Sequence, residues 1–130
     1  MKEILEFLRE CQTFYLATCE EGQPRVRPFG AVAEYKGKLY ITTNNKKNVF
    51  KQLLANPKFE ISGMDKGKWI RLEGVAVHDN RLAAREEMLA QNPSLTGMYS
   101  ADDGIMEVLY LKDAIATICS FTEEPKVIKF

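Results

Sequence analysis

The residues best suited to chemistry are cations set among hydroxyls and amides. They form two runs, Arg25-Val26-Arg27-Pro28-Phe29 and Thr42-Thr43-Asn44-Asn45-Lys46-Lys47-Asn48. The second run falls where a predicted strand hands over to a predicted helix. Its lysines stand in what reads as the first helical turn, where the helix dipole disfavours cations and favours anions. A bound anion would remove that conflict, because N–H groups, hydroxyls and ammonium groups together suit a phosphate. Arg25 and Arg27 are two positions apart, so on a strand they face the same way and could reach the same place. The two runs point to the phosphate of a cofactor. They are equally compatible with a solvated helix end and an exposed basic edge strand, since helix-end charge preferences are worth only about 0.3–1 kcal/mol.

The elements that must position these residues follow from periodicity. Residues 2–11 predict an amphipathic helix with Ile4, Leu5, Leu8 and Cys11 on one face. Strand patterns run over 13–19, 25–35 and 39–43, then over 59–64 and 68–78, with closing strands between 106 and 121. Lys36-Gly37 is a tight turn, which makes 25–35 and 39–43 a predicted hairpin. Pro28 cannot donate a ladder hydrogen bond, so it marks an edge, a bulge or an opening where backbone is free to meet a ligand. A helix is predicted from Lys46 to Ala55, capped by Asn44 or Asn45 and stopped by Asn56-Pro57. Another runs from Arg81 to Gln91 behind Asp79 or Asn80 as cap. About six strands in succession with tight turns predict an antiparallel sheet, and a small barrel would close most of its edges.

Composition narrows the class. Lys+Arg and Asp+Glu both number 18, so the chain has no net charge and lacks the broad basic footprint of a nucleic-acid binder. A hydrophobic content of 45% in 130 residues fits one packed domain, residues 1–130. No segment is long and apolar enough to span a membrane, and Glu3 and Glu6 interrupt any secretory apolar run, so cytoplasmic residence is expected. Cys11, Cys19 and Cys119 form no CxxC pair and no metal cluster; Cys19 and Cys119 read as buried small apolar residues. No GxGxxG, P-loop or nucleophile-elbow pattern is present.

Several residues carry a bland reading beside a functional one. Trp69 suits the core or a dimer interface, and Arg71 and Glu73 on the same face suit a mutual ion pair. His78, alone of its kind, reads as a polar strand end rather than a catalyst. Tyr99 and Asp102-Asp103 could border a substrate mouth, although a solvated loop explains them as well.

In order and spacing, Arg25-Val26-Arg27-Pro28-Phe29-Gly30, Leu39-Tyr40-Ile41-Thr42-Thr43, Lys47 ahead of Leu53-Leu54-Ala55-Asn56-Pro57, and Trp69-Ile70-Arg71-Leu72-Glu73-Gly74 resemble the pyridoxamine 5′-phosphate oxidase-like, FMN-binding split-barrel family. The likeness extends over about residues 3–121 and is nearest to short bacterial members related to nitroimidazole-resistance proteins. It implies a mainly β (α+β) fold: a six-stranded antiparallel split β-barrel of Greek-key type with short flanking helices. It also implies a homodimer with flavin mononucleotide (FMN) in interfacial clefts. Carried over by motif, Arg25 or Arg27 and Lys47 would meet the phosphate, and Thr43 and Asn44 would add hydrogen bonds. Backbone around Val26, Arg27 and Pro28 would face the flavin ring, with Lys46 the weaker of the adjacent lysines. The expected function is electron transfer through FMN to or from a small molecule, with NADH or NADPH as donor. Non-catalytic flavin binding, and binding of a deazaflavin or haem-derived ligand, are the alternatives. The C-terminal aromatic and arginine segment that true pyridoxamine phosphate oxidases use for pyridoxal phosphate has no counterpart before Phe130, so that oxidation is not expected.

Overall fold

The computed structural model describes residues 1–130. Its elements, in chain order, are α1 (Lys2–Cys11), β1 (Phe14–Glu20), β2 (Gln23–Phe29), β3 (Val32–Tyr35), β4 (Lys38–Asn44), α2 (Asn48–Ala55), β5 (Lys58–Asp65), β6 (Lys68–Asp79) and α3 (Leu82–Gln91). A short 3₁₀ helix (Pro93–Gly97), β7 (Met106–Cys119) and β8 (Lys126–Lys129) complete the chain. All strand pairs are antiparallel, in the order β2-β1-β5-β6-β7-β4-β3, with β8 added on β7. The fold is α+β and split-barrel-like, as the family resemblance implies.

One expected strand is two. The stretch 25–35 breaks at Gly30-Ala31, so β2 pairs with β1 while β3 pairs with β4, at opposite borders of the sheet. Phe29 and Val32 are three Cα steps apart and so lie within about 11 Å of each other. Two borders joined by so short a link must curl toward each other at that corner. No ladder joins them, and the sheet stays open along a seam between β2 and the β3–β4 border. The barrel is therefore split, as the family resemblance implies. Pro28 lies in border strand β2, where a missing donor leaves the ladder to β1 workable.

The strand count also differs at the C-terminal end. Lys112-Asp113 does not end a strand; β7 runs through it as a bulge. Two residues, Asp113 (φ 51°) and Ala114, stand opposite the single Gly74 of β6. The tail pairs as β8, and Phe130 and Ala114 exchange backbone hydrogen bonds of 2.7 and 2.9 Å. A strand of eight or fewer tail residues carries too little periodicity to be read without its partner.

The interior is filled by alternate residues of each strand, a consequence of the two-residue repeat. Phe14 and Leu16 of β1, Ile61 of β5, Ile70 and Leu72 of β6 and Ala116 of β7 are fully buried. Ile4, Leu5 and Leu8 of α1 and Val49, Phe50 and Leu53 of α2 plug the same core. A second cluster, with Tyr40, Ala84, Met88 and Val108, seats α3 on the other side of β4 and β7. Cys19 is exposed and Cys119 half-buried, against expectation, because both fall on outward-facing positions of their strands. Cys11 is half-buried and its thiol is pushed up, first by burial and then by Asp65.

Gly74 marks a close approach. A Cβ there would stand 2.8 Å from the Lys112 carbonyl oxygen and 3.2 Å from Ala114 Cα. Replacing glycine in a strand gains about 0.5–1 kcal/mol of backbone entropy, whereas overpacking costs about 1–3 kcal/mol. The clash is with ladder-bound backbone that cannot move alone, so it wins. Gly74→Ala is expected to destabilise the fold by about 1–2 kcal/mol, seen as a lower urea midpoint at unchanged slope; an unchanged or higher midpoint would contradict the close packing.

Candidate functional site

The seam is where the basic runs meet. On β2, Arg25, Arg27 and Phe29 pair with Thr18, Leu16 and Phe14, all buried residues of β1, so both arginines start on the inward face. Arg27 is drawn furthest in. Its Nη1 donates to Thr18 Oγ1 at 2.8 Å and its Nη2 to Gln52 Oε1 of α2, while Thr18 donates to the same Gln52 oxygen at 2.7 Å. Burial, and then the like charge of Arg25, lower its pKa, so an anion in the cleft relieves the electrostatic cost of placing it there. Arg25 keeps only a loose 3.8 Å contact with Glu20, between half-exposed side chains.

The opposite wall is the β4–α2 segment. Here the helix begins at Asn48, two residues later than expected, with Lys47 in the N-cap position. Lys46 and Lys47 therefore precede the first turn rather than occupy it, and both are exposed. Neither forms an ion pair. No side chain caps α2 and no acid stands in its first turn, so its leading N–H groups lack an anionic partner at the end where Lys47, Asn48 and Val49 border the cleft. Asn44 is not the cap that the sequence suggested. Its Oδ1 accepts the Lys46 N–H at 3.0 Å, and its Nδ2 donates to the Tyr99 hydroxyl at 2.7 Å. Asn45 turns away, donating to Gly104 O at 2.8 Å and to Glu107 at 3.1 Å.

Two adjoining clefts open along the seam. The first, about 540 Å³, is bordered by Glu20, Arg25, Val26, Arg27, Pro28, Lys47, Asn48, Val49 and Gln52. The second, about 330 Å³, shares Arg27, Pro28, Lys47 and Val49 with it. It continues past Phe29, Gly30, Ala31, Thr42 and Thr43 to Asn92, Ser94, Leu95, Met98 and Tyr99. Both volumes suit a small cofactor. The first cleft collects three cations against one carboxylate; the second is the more apolar. A dianionic phosphate ester attached to a flat, partly apolar ring fits that donor set. Of the predicted site residues, the clefts bring together Arg25, Val26, Arg27, Pro28, Thr43 and Lys47; Asn44 sits behind Tyr99, and Lys46 borders neither cleft.

The 92–103 segment is fixed in place rather than solvated at random. Asn92 Nδ2 donates to Val32 O at 2.9 Å, and Arg85 Nε to Ala101 O at 2.6 Å. Asp103 accepts the N–H groups of Ile105 and Met106 at 2.8 and 2.9 Å, which holds its carboxyl below the usual range. Asp103 is thus a turn residue, and Tyr99 borders the second cleft together with Asn92, Ser94, Leu95 and Met98. One local signal marked it, an aromatic residue in a loop that could border a mouth, but its partner Asn44 lies 55 positions away.

Two further pairings escape the sequence. His78 Nε2 lies 3.0 Å from Glu107 Oε1, and its ring meets Phe50 edge-on with centroids 5.1 Å apart. It is a bracing residue between β6, β7 and α2 and borders neither cleft. Arg71 pairs with Glu60 of the neighbouring strand at 3.5 Å, not with Glu73. Arg71 stands opposite Ser62, and its long side chain reaches Glu60 along the diagonal of the ladder, where Glu60 in turn faces Glu73.

Outside the seam, large apolar side chains are exposed beside charged ones such as Glu60, Arg71 and Glu73. Val26 is 68% exposed and Phe121, tilted against Trp69 with ring centroids 5.1 Å apart, is 91% exposed; Tyr15 and Met64 are exposed as well.

Known proteins share this architecture. A family model described as pyridoxamine 5′-phosphate oxidase matches residues 1–108. Among solved structures, a NimC/NimA family protein from Clostridium acetobutylicum is 58% identical with a TM-score of 0.94, covering 98% of this chain and 93% of that one. General stress protein 26 from Bacillus anthracis is similar at 16% identity and a TM-score of 0.78, covering 99% and 97%. A haem-binding protein from Mycobacterium smegmatis is similar at 16% identity and a TM-score of 0.70, covering 94% of this chain and 57% of that one. At such identity the last two speak for the fold alone. No curated protein matches the chain.

Proposed function

We propose, from the premise that the chain belongs to the pyridoxamine 5′-phosphate oxidase family, that it is a flavoprotein holding FMN across the seam and passing electrons to or from a small molecule. The observation that carries this reading is the cation set of the first cleft, Arg25, Arg27 and Lys47 against the single carboxylate of Glu20, beside an uncapped helix start and next to a more apolar second cleft. Arg27, buttressed by Thr18 and Gln52, and Lys47 take the phosphate; Arg25 adds charge at the rim. Thr43 and the backbone of Val26, Arg27 and Pro28 face the ring. When bound, the flavin supplies the redox chemistry. The chain's own residues supply position, positive potential and exclusion of water, so no nucleophile or triad is required.

The reading includes a homodimer, in which a second copy covers the exposed Val26 and Tyr15 and narrows the open clefts. NADH or NADPH is the proposed donor; the second substrate is a small molecule able to enter beside Met98.

The test is direct. Purified protein incubated with FMN and desalted is expected to be yellow, to run as a dimer by light scattering, and to bleach with NADH or NADPH and recolour with a quinone or nitroaromatic acceptor. Retained colour that never bleaches would reduce the function to flavin binding. Failure to retain FMN, with a Soret band on haem titration instead, would replace the reading by haem binding.

A further inference from the structure

Hydrogen-bond polarity around Asn44 determines what Tyr99 can offer the second cleft. The Lys46 backbone N–H can only donate, so the Asn44 atom 3.0 Å from it is the carbonyl oxygen. The other amide atom is then the NH₂ group, which donates to the Tyr99 oxygen at 2.7 Å. A phenol oxygen that accepts from Asn44 keeps its own hydrogen for a different partner. Tyr99 is half-buried and borders the second cleft, with Leu95 and Met98 as apolar neighbours. Its hydrogen is therefore available to an acceptor inside that cleft, held in orientation by a backbone-anchored amide.

We infer that Tyr99 is a hydrogen-bond donor to a carbonyl oxygen of the flavin ring, and that it favours the reduced ring over the oxidised one. This rests on the flavin reading above. Reduction places additional negative charge on the carbonyl-bearing edge, so a fixed donor there strengthens as the ring gains electrons. Tyr99 so acts on potential and not on retention of the phosphate, which belongs to Arg27 and Lys47.

A four-protein cycle tests it: parent, Tyr99→Phe, Asn44→Asp and the double variant, each loaded with FMN. The readouts are the affinity for oxidised FMN and the ratio of reduced to oxidised affinity, obtained from the midpoint potentials of bound and free flavin. Tyr99→Phe is expected to lower that ratio about three- to tenfold, the equivalent of one ordinary hydrogen bond. Asn44→Asp keeps the acceptor for Lys46 but presents an oxygen to Tyr99, which must then turn its hydrogen away from the cleft. In that background, Tyr99→Phe is expected to leave the ratio unchanged, the added charge cancelling within the cycle. An equal shift in both backgrounds, or in neither, would overturn the inference. So would a loss of FMN affinity with an unchanged ratio, which would assign the hydroxyl to the phosphate or ribityl chain. If the parent takes up no FMN, the flavin reading falls and this inference with it; uptake without the predicted coupling removes this inference alone.

Discussion

Arg27→Ala combined with Lys47→Ala is expected to weaken FMN binding by about two to three orders of magnitude while the protein stays folded. Hydrogen bonds to charged groups contribute about 1.5–3 kcal/mol each. Arg27 is part-buried and fixed at three points, whereas Lys47 is exposed, so the pair together is worth about 3–4 kcal/mol rather than the sum of two maxima. The fold survives because neither residue belongs to the hydrophobic core, and Gln52 still accepts the Thr18 hydroxyl after the arginine is gone. Fluorescence titration with FMN, alongside a thermal melt of the apoprotein, reads both halves. Equal affinity in parent and variant would remove the phosphate assignment; a collapsed melt would instead make Arg27 a structural residue.

The second large effect lies away from the seam. Asp79 is 7% exposed and accepts the hydroxyl of the buried Tyr40 at 2.6 Å, while Arg81 closes on it with Nε at 3.0 Å and Nη2 at 2.8 Å. These contacts tie the end of β6 to β4 and to the start of α3. The Arg81 guanidinium, followed by the Tyr40 hydroxyl, holds the Asp79 carboxyl far below the usual range against the opposing effect of burial. Tyr40 is pushed up to about 12, mainly by burial and then by its bond to Asp79, and remains a donor across the neutral range. Asp79→Ala orphans the Tyr40 hydroxyl and the Arg81 charge together. Arg81 reaches solvent and recovers hydration, so a loss of about 2–3 kcal/mol is expected, below the full penalty for breaking a buried pair.

The sign of the pH dependence follows from the depressed carboxyl. In the unfolded chain Asp79 titrates near its ordinary value, about 3.9, and in the folded chain well below it. Its contribution is complete above the unfolded value and is lost as pH falls through that value toward the folded one. The stability gap between parent and Asp79→Asn, measured by urea unfolding, is therefore expected to be constant from pH 7 to about pH 5 and to shrink below about pH 4. A gap that holds its size down to pH 3 would mean that the ion pair does not carry the effect.

Much of this structure was legible because alternation is a local signal. The buried sides of β1, β5 and β6 follow from every second residue being apolar, and the pairing of Arg25 with Arg27 on one face follows from the same repeat. What escaped the sequence depends on partners far along the chain. The border break at Gly30-Ala31 is invisible until β3 finds β4. The tail becomes a strand only because β7 extends past the end of β4 and leaves an edge to be covered. Asn44 satisfied every local criterion for a cap, yet its amide is claimed by Lys46 and Tyr99. His78 lacked a sequence neighbour to work with, and its carboxylate partner lies 29 residues on. The gathering of cations was foreseeable from residue types, but the division of the cleft into a cationic and a more apolar half needed the curl of the sheet.

That curl separates two kinds of selection. The residues along the gap, Arg25, Arg27, Lys47 and Tyr99, stand outside the 22 side chains that make the main interior cluster, so changing them leaves most of the folding energy untouched. A lineage can rewrite the charge and shape of the opening between the two borders without first renegotiating whether the chain folds.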